Sequence, residues 1–155
     1  MKLSIFIEGQ EVLRKPTEEI KEVDSVIKQL ISDMYETLGD SIGVGLSAPQ
    51  VGKSLKLFVI DADKLGGYYK ECQQFKKTFI NPVIVKYGRK TNTDNEGCLS
   101  IPGIIKSVKR SESVTVEYFD EEFNKHKEKF SGFIARIIQH EYDHLDGKLM
   151  IDYKK

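Results

Sequence analysis

The 155-residue chain has no tryptophan, four prolines and only two cysteines, Cys72 and Cys98. Two thiols far apart and in different contexts do not read as the disulfide framework of a small secreted domain. Neither sign of charge is in excess: Lys plus Arg and Asp plus Glu are 24 each. That balance argues against direct nucleic-acid specificity and against attraction to an anionic membrane. The stretch Lys106–Arg110 is too sparse to change this and reads as solvated surface charge. No apolar run approaches the roughly 20 residues of a membrane helix. The opening segment has three consecutive apolar residues, Ile5 to Ile7, before Glu8. An export signal needs an apolar stretch of about 7 to 15. A cytoplasmic location with reduced thiols is therefore expected.

At this length one domain with its own core is expected, spanning residues 1–155. There is no internal repeat, low-complexity tract or long linker. Val26, Ile27, Leu30, Ile31, Met34, Tyr35 and Leu38 recur with helical period, which predicts a helix over residues 24–38 with Asp24 as N-cap and Gly39 as stop. A glycine-rich turn over 43–52 is followed by β-like runs at Leu55–Ile60 and at Thr78–Ile80 with Val83–Val85 around Pro82. Ser113–Phe119 alternates strictly, and Lys125–Phe130 suits its hairpin partner across 120–124. Residues 61–77 and 86–97 read as surface loops. A second helix is predicted over 131–145, with Ser131 as N-cap and Gly147 as stop. Phe133, Ile137, His140 and His144 form one stripe of it, and Ile134, Ile138, Glu141 and Leu145 the next, so it should be buried.

That second helix carries His140-Glu141-Tyr142-Asp143-His144. Histidines at i and i+4 project from one helical face and can hold one metal ion, with Glu141 beside them to handle the protons of a water. The fold expected is α+β: antiparallel β-sheets packed around a central metal-binding helix, with an N-terminal helix. A catalytic site of this kind takes three protein ligands and keeps one position open. The extended pattern with a third downstream histidine fits as far as Gly147, but its last position is Met150, a poor ligand for a hydrolytic ion. Beyond it only Asp152 offers a carboxylate. The third ligand is therefore sought upstream. His126 lies among lysines and reads as a surface residue. Cys98, in Glu96-Gly97-Cys98-Leu99-Ser100-Ile101-Pro102-Gly103, is the better candidate, the alternative being a small buried apolar residue. Cys72 reads as a bystander. Three classes remain: a hydrolase with an open metal site, a metalloprotease cutting internal peptide bonds, and a binding module with a closed structural metal, for which no fourth ligand is evident.

Three segments, Gly43-Val44-Gly45-Leu46-Ser47-Ala48-Pro49-Gln50, Glu96-Gly97-Cys98-Leu99-Ser100 and Gln139-His140-Glu141-Tyr142-Asp143-His144-Leu145, together resemble the three signature motifs of the peptide deformylases. Their order and spacing are similar, and the resemblance extends to Glu11-Val12-Leu13-Arg14 and to Asn81-Pro82. Ser47 stands where the family usually has alanine. The chain also stops soon after the metal helix, whereas some bacterial relatives continue into a C-terminal helix used for ribosome docking, so that docking mode is not carried over, and the resemblance implies only a transient ribosome contact.

The resemblance implies removal of the formyl group from the N-terminal formyl-methionine of nascent polypeptides, with release of formate. It implies one divalent ion on Cys98, His140 and His144, with Fe2+ favoured in the cell and Zn2+, Ni2+ or Co2+ admitted by the ligand types. Glu141 would be the general acid and base. The Gln50 side-chain amide and the Leu99 N–H would steady the oxyanion. Phe133, Ile137 and Val44 would form the methionine pocket. Gly45 would let substrate backbone come close, and Gly97 would join the substrate contacts. Asp143 is either a support for a ligand histidine or solvated. A Glu96–Arg110 pair bracing the Cys98 segment is also implied.

Overall fold

In the computed structural model, which describes residues 1–153, the first helix begins where its capping residue stands. Helix α1 (Ser25–Gly39) starts as the Ile27 N–H donates to the Asp24 carboxylate at 2.9 Å. Its apolar stripe packs on one face of a sheet made from β1 (Gly45–Ser47), β2 (Leu57–Asp61), β3 (Lys76–Tyr87), and two later strands. A polar ribbon comes between them in the chain, β4 (Thr91–Cys98) and β5 (Ile101–Ser111). The sheet is completed by β6 (Ser113–Phe119) and β7 (Lys125–Ser131), in the order β1-β2-β3-β6-β7, every pair antiparallel. Helix α2 (Gly132–Leu145) covers the opposite face of the sheet.

Strand β2 explains why its sequence is apolar without alternation. Leu57 and Val59 face α1, while Phe58 and Ile60 face α2, so both sides are buried. Phe58 stacks on Phe79 of β3, centroids 4.8 Å apart. Truncating such a ring to alanine costs about 3–5 kcal/mol, a large part of the ~5–15 kcal/mol that holds a domain folded. Strand β6 is half-buried, with Val114, Val116 and Tyr118 turned to the α2 side, as its alternation predicts. β7 pairs along its whole length, from Ser113↔Ser131 to Phe119↔Lys125. β3 is continuous through Pro82 only because the register shifts between Ile80 and Val83. Asn81, at φ 49°, occupies the irregularity, and its amide both accepts from the Ile20 N–H and donates to the Ile20 carbonyl.

Residues 86–97 are not a surface loop. β3 runs on to Tyr87, and Thr91–Cys98 is a strand hydrogen-bonded to β5 from Thr91↔Ser111 to Cys98↔Ile101. The segment Thr-Asn-Thr-Asp-Asn-Glu has no apolar alternation to announce it. It is held by its ladder and by Arg136, which donates to the Asn92 and Val108 carbonyls. Arg110, in the stretch read as solvated, is 4% exposed. Beneath the ribbon, Ile101 and Val108 pack with Leu149 and Met150, which gives Met150 a core role instead of a ligand role.

The ends of α2 are fixed from elsewhere in the chain. Ser131 makes no capping bond; the Phe133 N–H donates to Glu71 Oε2 at 2.8 Å. At the other end Gly147, at φ +71°, takes the left-handed conformation. The Lys148 N–H then reaches the Asp143 carbonyl and the Gly147 N–H the His144 carbonyl, a double closure that glycine permits without strain. Arg14 clamps this turn by donating to the Gly147 carbonyl and to the Asp152 carboxylate.

Candidate metal centre and active site

Cys98 is the last residue of β4, immediately before the two-residue turn Leu99-Ser100. His140 and His144 lie one turn apart on α2, ring centroids 5.3 Å apart. The ribbon delivers the thiol to them: Cys98 Sγ is 3.4 Å from His144 Nε2, and the three potential ligand atoms all lie within 4.8 Å of one another. His126 does not join them. It stands on β7, stacked on Tyr118, with Nε2 2.7 Å from Asp120 Oδ2.

Behind the histidines lies a buried charge network. Glu96 receives the Arg110 guanidinium on both oxygens, at 2.6 and 2.8 Å, and Arg136 at 2.6 Å. The same carboxylate lies 2.9 Å from His140 Nδ1, which leaves Nε2 turned to the ligand cluster. Burial alone would raise the Glu96 carboxyl, but the Arg110 and His140 hydrogen bonds outweigh it and bring the pKa down to about 2. Arg110 also donates to Asp143 at 2.9 Å, and the Tyr153 hydroxyl donates to the same Asp143 oxygen at 2.6 Å. Asp143 is thus engaged, and the Glu96–Arg110 pair exists. Arg136 is the member that the sequence reading passed over. Its signal was available: one cation inside the otherwise apolar stretch Phe133–Ile138. Burial holds the His144 imidazole well below its ordinary value.

Gln50 closes the front of the site. It sits in the short helical turn Ala48–Val51 that follows β1, and its Nε2 donates to Ser100 Oγ at 3.1 Å and towards Cys98 Sγ at 3.6 Å. Glu141 is 4% exposed, its Oε1 has no hydrogen-bond partner among the described residues, and burial pushes its carboxyl up to about 7. Gly45 faces it directly: a Cβ there would lie 2.7 Å from Glu141 Oε2. A glycine at this position thus lets β1 and the glutamate of α2 come into close contact. Gly43 makes the same allowance for Leu99, whose Cδ1 would be 2.9 Å from an added Cβ.

A cavity of about 240 Å³ opens beside these groups. Val44, Gly45, Gly97, Phe133 and Ile137 all line it, together with Cys98, Leu99, Gln50, His140 and Glu141. It is smaller than the roughly 300–1,000 Å³ of a drug-sized site and is walled mainly by apolar side chains, which suits one extended apolar residue. Leu65, from the segment between β2 and β3, and Ile42 add apolar wall beyond what the sequence indicated, and Asn95 and Arg136 add polar lining. The arrangement offers a soft-and-nitrogen donor set, a poised carboxylate, an amide donor and an apolar slot within one concavity.

The sequence profile described as polypeptide deformylase matches residues 2–155. The peptide deformylase of Karelsulcia muelleri is 47% identical over 152 residues, covering 98% of this chain and 78% of the relative. That of Flavobacterium psychrophilum is 45% identical over 159 residues, covering 98% and 82%. The crystal structure of peptide deformylase from Thermotoga maritima superposes with a TM-score of 0.91 at 35% identity, covering 100% of this chain and 99% of that one. The Ehrlichia chaffeensis enzyme in complex with actinonin also gives 0.91, at 34% identity, covering 99% and 89%.

Proposed function

This chain belongs to the polypeptide deformylase family, and from that premise we propose that residues 1–155 act as one catalytic domain that hydrolyses the N-formyl group of formyl-methionyl nascent polypeptides, releasing formate. The observation that carries the reading is the meeting of Cys98, His140 and His144, from two distant segments, at the edge of an apolar cavity that also holds Glu141.

The donor set suits a divalent ion: one thiolate and two imidazole Nε2 atoms, with the second nitrogen of His140 already engaged by Glu96. When bound, the ion supplies Lewis acidity, acidifying a water and polarising the formyl carbonyl. Every other task falls to the chain. Phe133, Ile137 and Val44 hold the methionine side chain, and Gly97 gives the adjoining peptide room. Glu141, buried and with one oxygen that has no hydrogen-bond partner among the described residues, takes the proton of the attacking water and returns one to the departing amine. The Gln50 amide and the Leu99 N–H steady the negative charge that grows on the formyl oxygen. Arg110 and Arg136 keep Glu96 ionised, and Glu96 fixes the ring of His140.

Iron(II) is the ion of the cell in this reading, with zinc, nickel or cobalt as substitutes. The enzyme works in the cytoplasm with transient ribosome contact; none of its described helices is long and apolar enough to cross a membrane. The test is formate release from formyl-Met-Ala-Ser, with Glu141→Ala as control and an internally cleavable peptide beside it. Only the formylated peptide should be consumed, and only by the unmutated protein; internal cleavage would favour a protease instead. Protein loaded anaerobically with iron should exceed protein loaded with zinc, and equal activity would refute the iron assignment. Actinonin, bound in the Ehrlichia relative, should inhibit.

A further inference from the structure

The segment Asp63–Cys72 reads in sequence as a surface loop, yet it forms part of the cavity from outside the metal helix. Leu65 lines the cavity. The Tyr69 N–H donates to the Leu65 carbonyl at 3.0 Å, and the half-buried Tyr69 ring stacks on Phe133, centroids 4.4 Å apart and planes 13° from parallel. Two residues on, Glu71 accepts the Phe133 N–H in place of a helix cap. Cys72, fully buried in the main core, anchors the segment. Phe133 is therefore held twice, by its ring and by its backbone. Its own ring is a wall of the cavity, and Tyr69, which is not among the lining residues, stacks against that ring.

We propose that Tyr69 is a specificity-determining residue: by backing Phe133 it sets the depth of the cavity and limits the N-terminal side chain that fits to about the length of methionine. An aromatic wall is a fixed boundary only if it cannot turn away. The stack on Tyr69, with the backbone N–H of the same residue bound to a carboxylate, opposes that turn. Removing the Tyr69 ring opens a space into which Phe133 can swing, which deepens the slot. The proposal rests on the deformylase reading above.

The experiment compares kcat/KM for formate release from formyl-Met-Ala-Ser and formyl-Phe-Ala-Ser. It uses metal-loaded wild-type protein and the variants Tyr69→Ala, Tyr69→Leu and Tyr69→Phe. Tyr69→Ala should raise the ratio of the phenylalanine to the methionine substrate roughly tenfold, the lower end of what a small change in apolar fit produces. Tyr69→Leu should raise it less, and Tyr69→Phe should leave it unchanged. A residue that merely supported the fold would depress both substrates in proportion. An unchanged ratio in Tyr69→Ala, or in Tyr69→Leu should the alanine variant not fold, overturns the proposal. Wild-type protein that released no formate from formyl-Met-Ala-Ser would refute the deformylase reading and this proposal with it; wild-type activity with an immovable ratio refutes only the role of Tyr69.

Discussion

The Ser47 hydroxyl donates to Gln50 Oε1 at 3.1 Å, and the Ser47 N–H reaches the same oxygen at 2.9 Å. Two donors on the oxygen decide which end of the amide faces the ligand cluster, so Nε2 points at Ser100 and Cys98. An alanine at position 47 would lack one of these two donors. Ser47→Ala should lower kcat by roughly threefold to tenfold, the worth of one neutral hydrogen bond, with KM and metal content unchanged. Steady-state kinetics with metal analysis checks this, and the effect should vanish in a Gln50→Ala background.

Gly45→Ala should damage catalysis more than folding. The added methyl would lie 2.7 Å from Glu141 Oε2 and 3.0 Å from its Cγ, so the carboxylate must move. A displacement of this size in a reacting group costs about 100-fold in rate. The variant should retain its metal and melt near the wild-type temperature, which calorimetry and metal analysis would establish.

The Glu96 network makes a pH prediction. Its carboxyl is held at about 2 in the folded protein, below the ordinary 4.5. The stabilisation is therefore fully present above pH 4.5 and is lost as pH falls through the folded value. Its size is on the order of 3 kcal/mol at neutral pH. Glu96→Gln should be less stable than wild type at pH 7, and the gap should narrow as the solution is taken from pH 4.5 towards 2. Urea titrations at several pH values measure it; a gap that stays constant would contradict the network's role.

The two thiols should differ in chemistry. Burial pushes the Cys72 thiol up to about 11, so at pH 8 it is protonated and enclosed. In the Cys98→Ser variant, iodoacetamide at pH 8 should label no thiol in the native protein and one after unfolding in urea. That variant should also fail to retain metal, whereas Cys72→Ser should keep it. Mass spectrometry and metal analysis read both outcomes.

What the sequence revealed followed from periodicity. Helix α1 and the β6–β7 hairpin stand within a residue or so of their predicted bounds, because apolar spacing there matches the burial that each face achieves. Cys98, His140 and His144 were legible because few residue types bind such an ion. The ribbon strands were not, because β4 is polar and owes its shape to a partner strand and to Arg136, neither of which leaves a local pattern. Tyr69 and Glu71 were hidden for a related reason: their partner, Phe133, lies more than sixty positions along the chain. The surface reading of residues 106–110 fails at Arg110, whereas the Glu96–Arg110 pair that the resemblance implied is present.

The β4–β5 ribbon forms no ladder with the five-stranded sheet. The thiol at its tip and the imidazoles of α2 are tied together through Glu96, which holds Arg110 of the ribbon and Arg136 of the helix. The centre is thus two half-sites from separate stretches of chain, and a donor set of three exists only in the folded protein, so ion binding and folding stability are coupled.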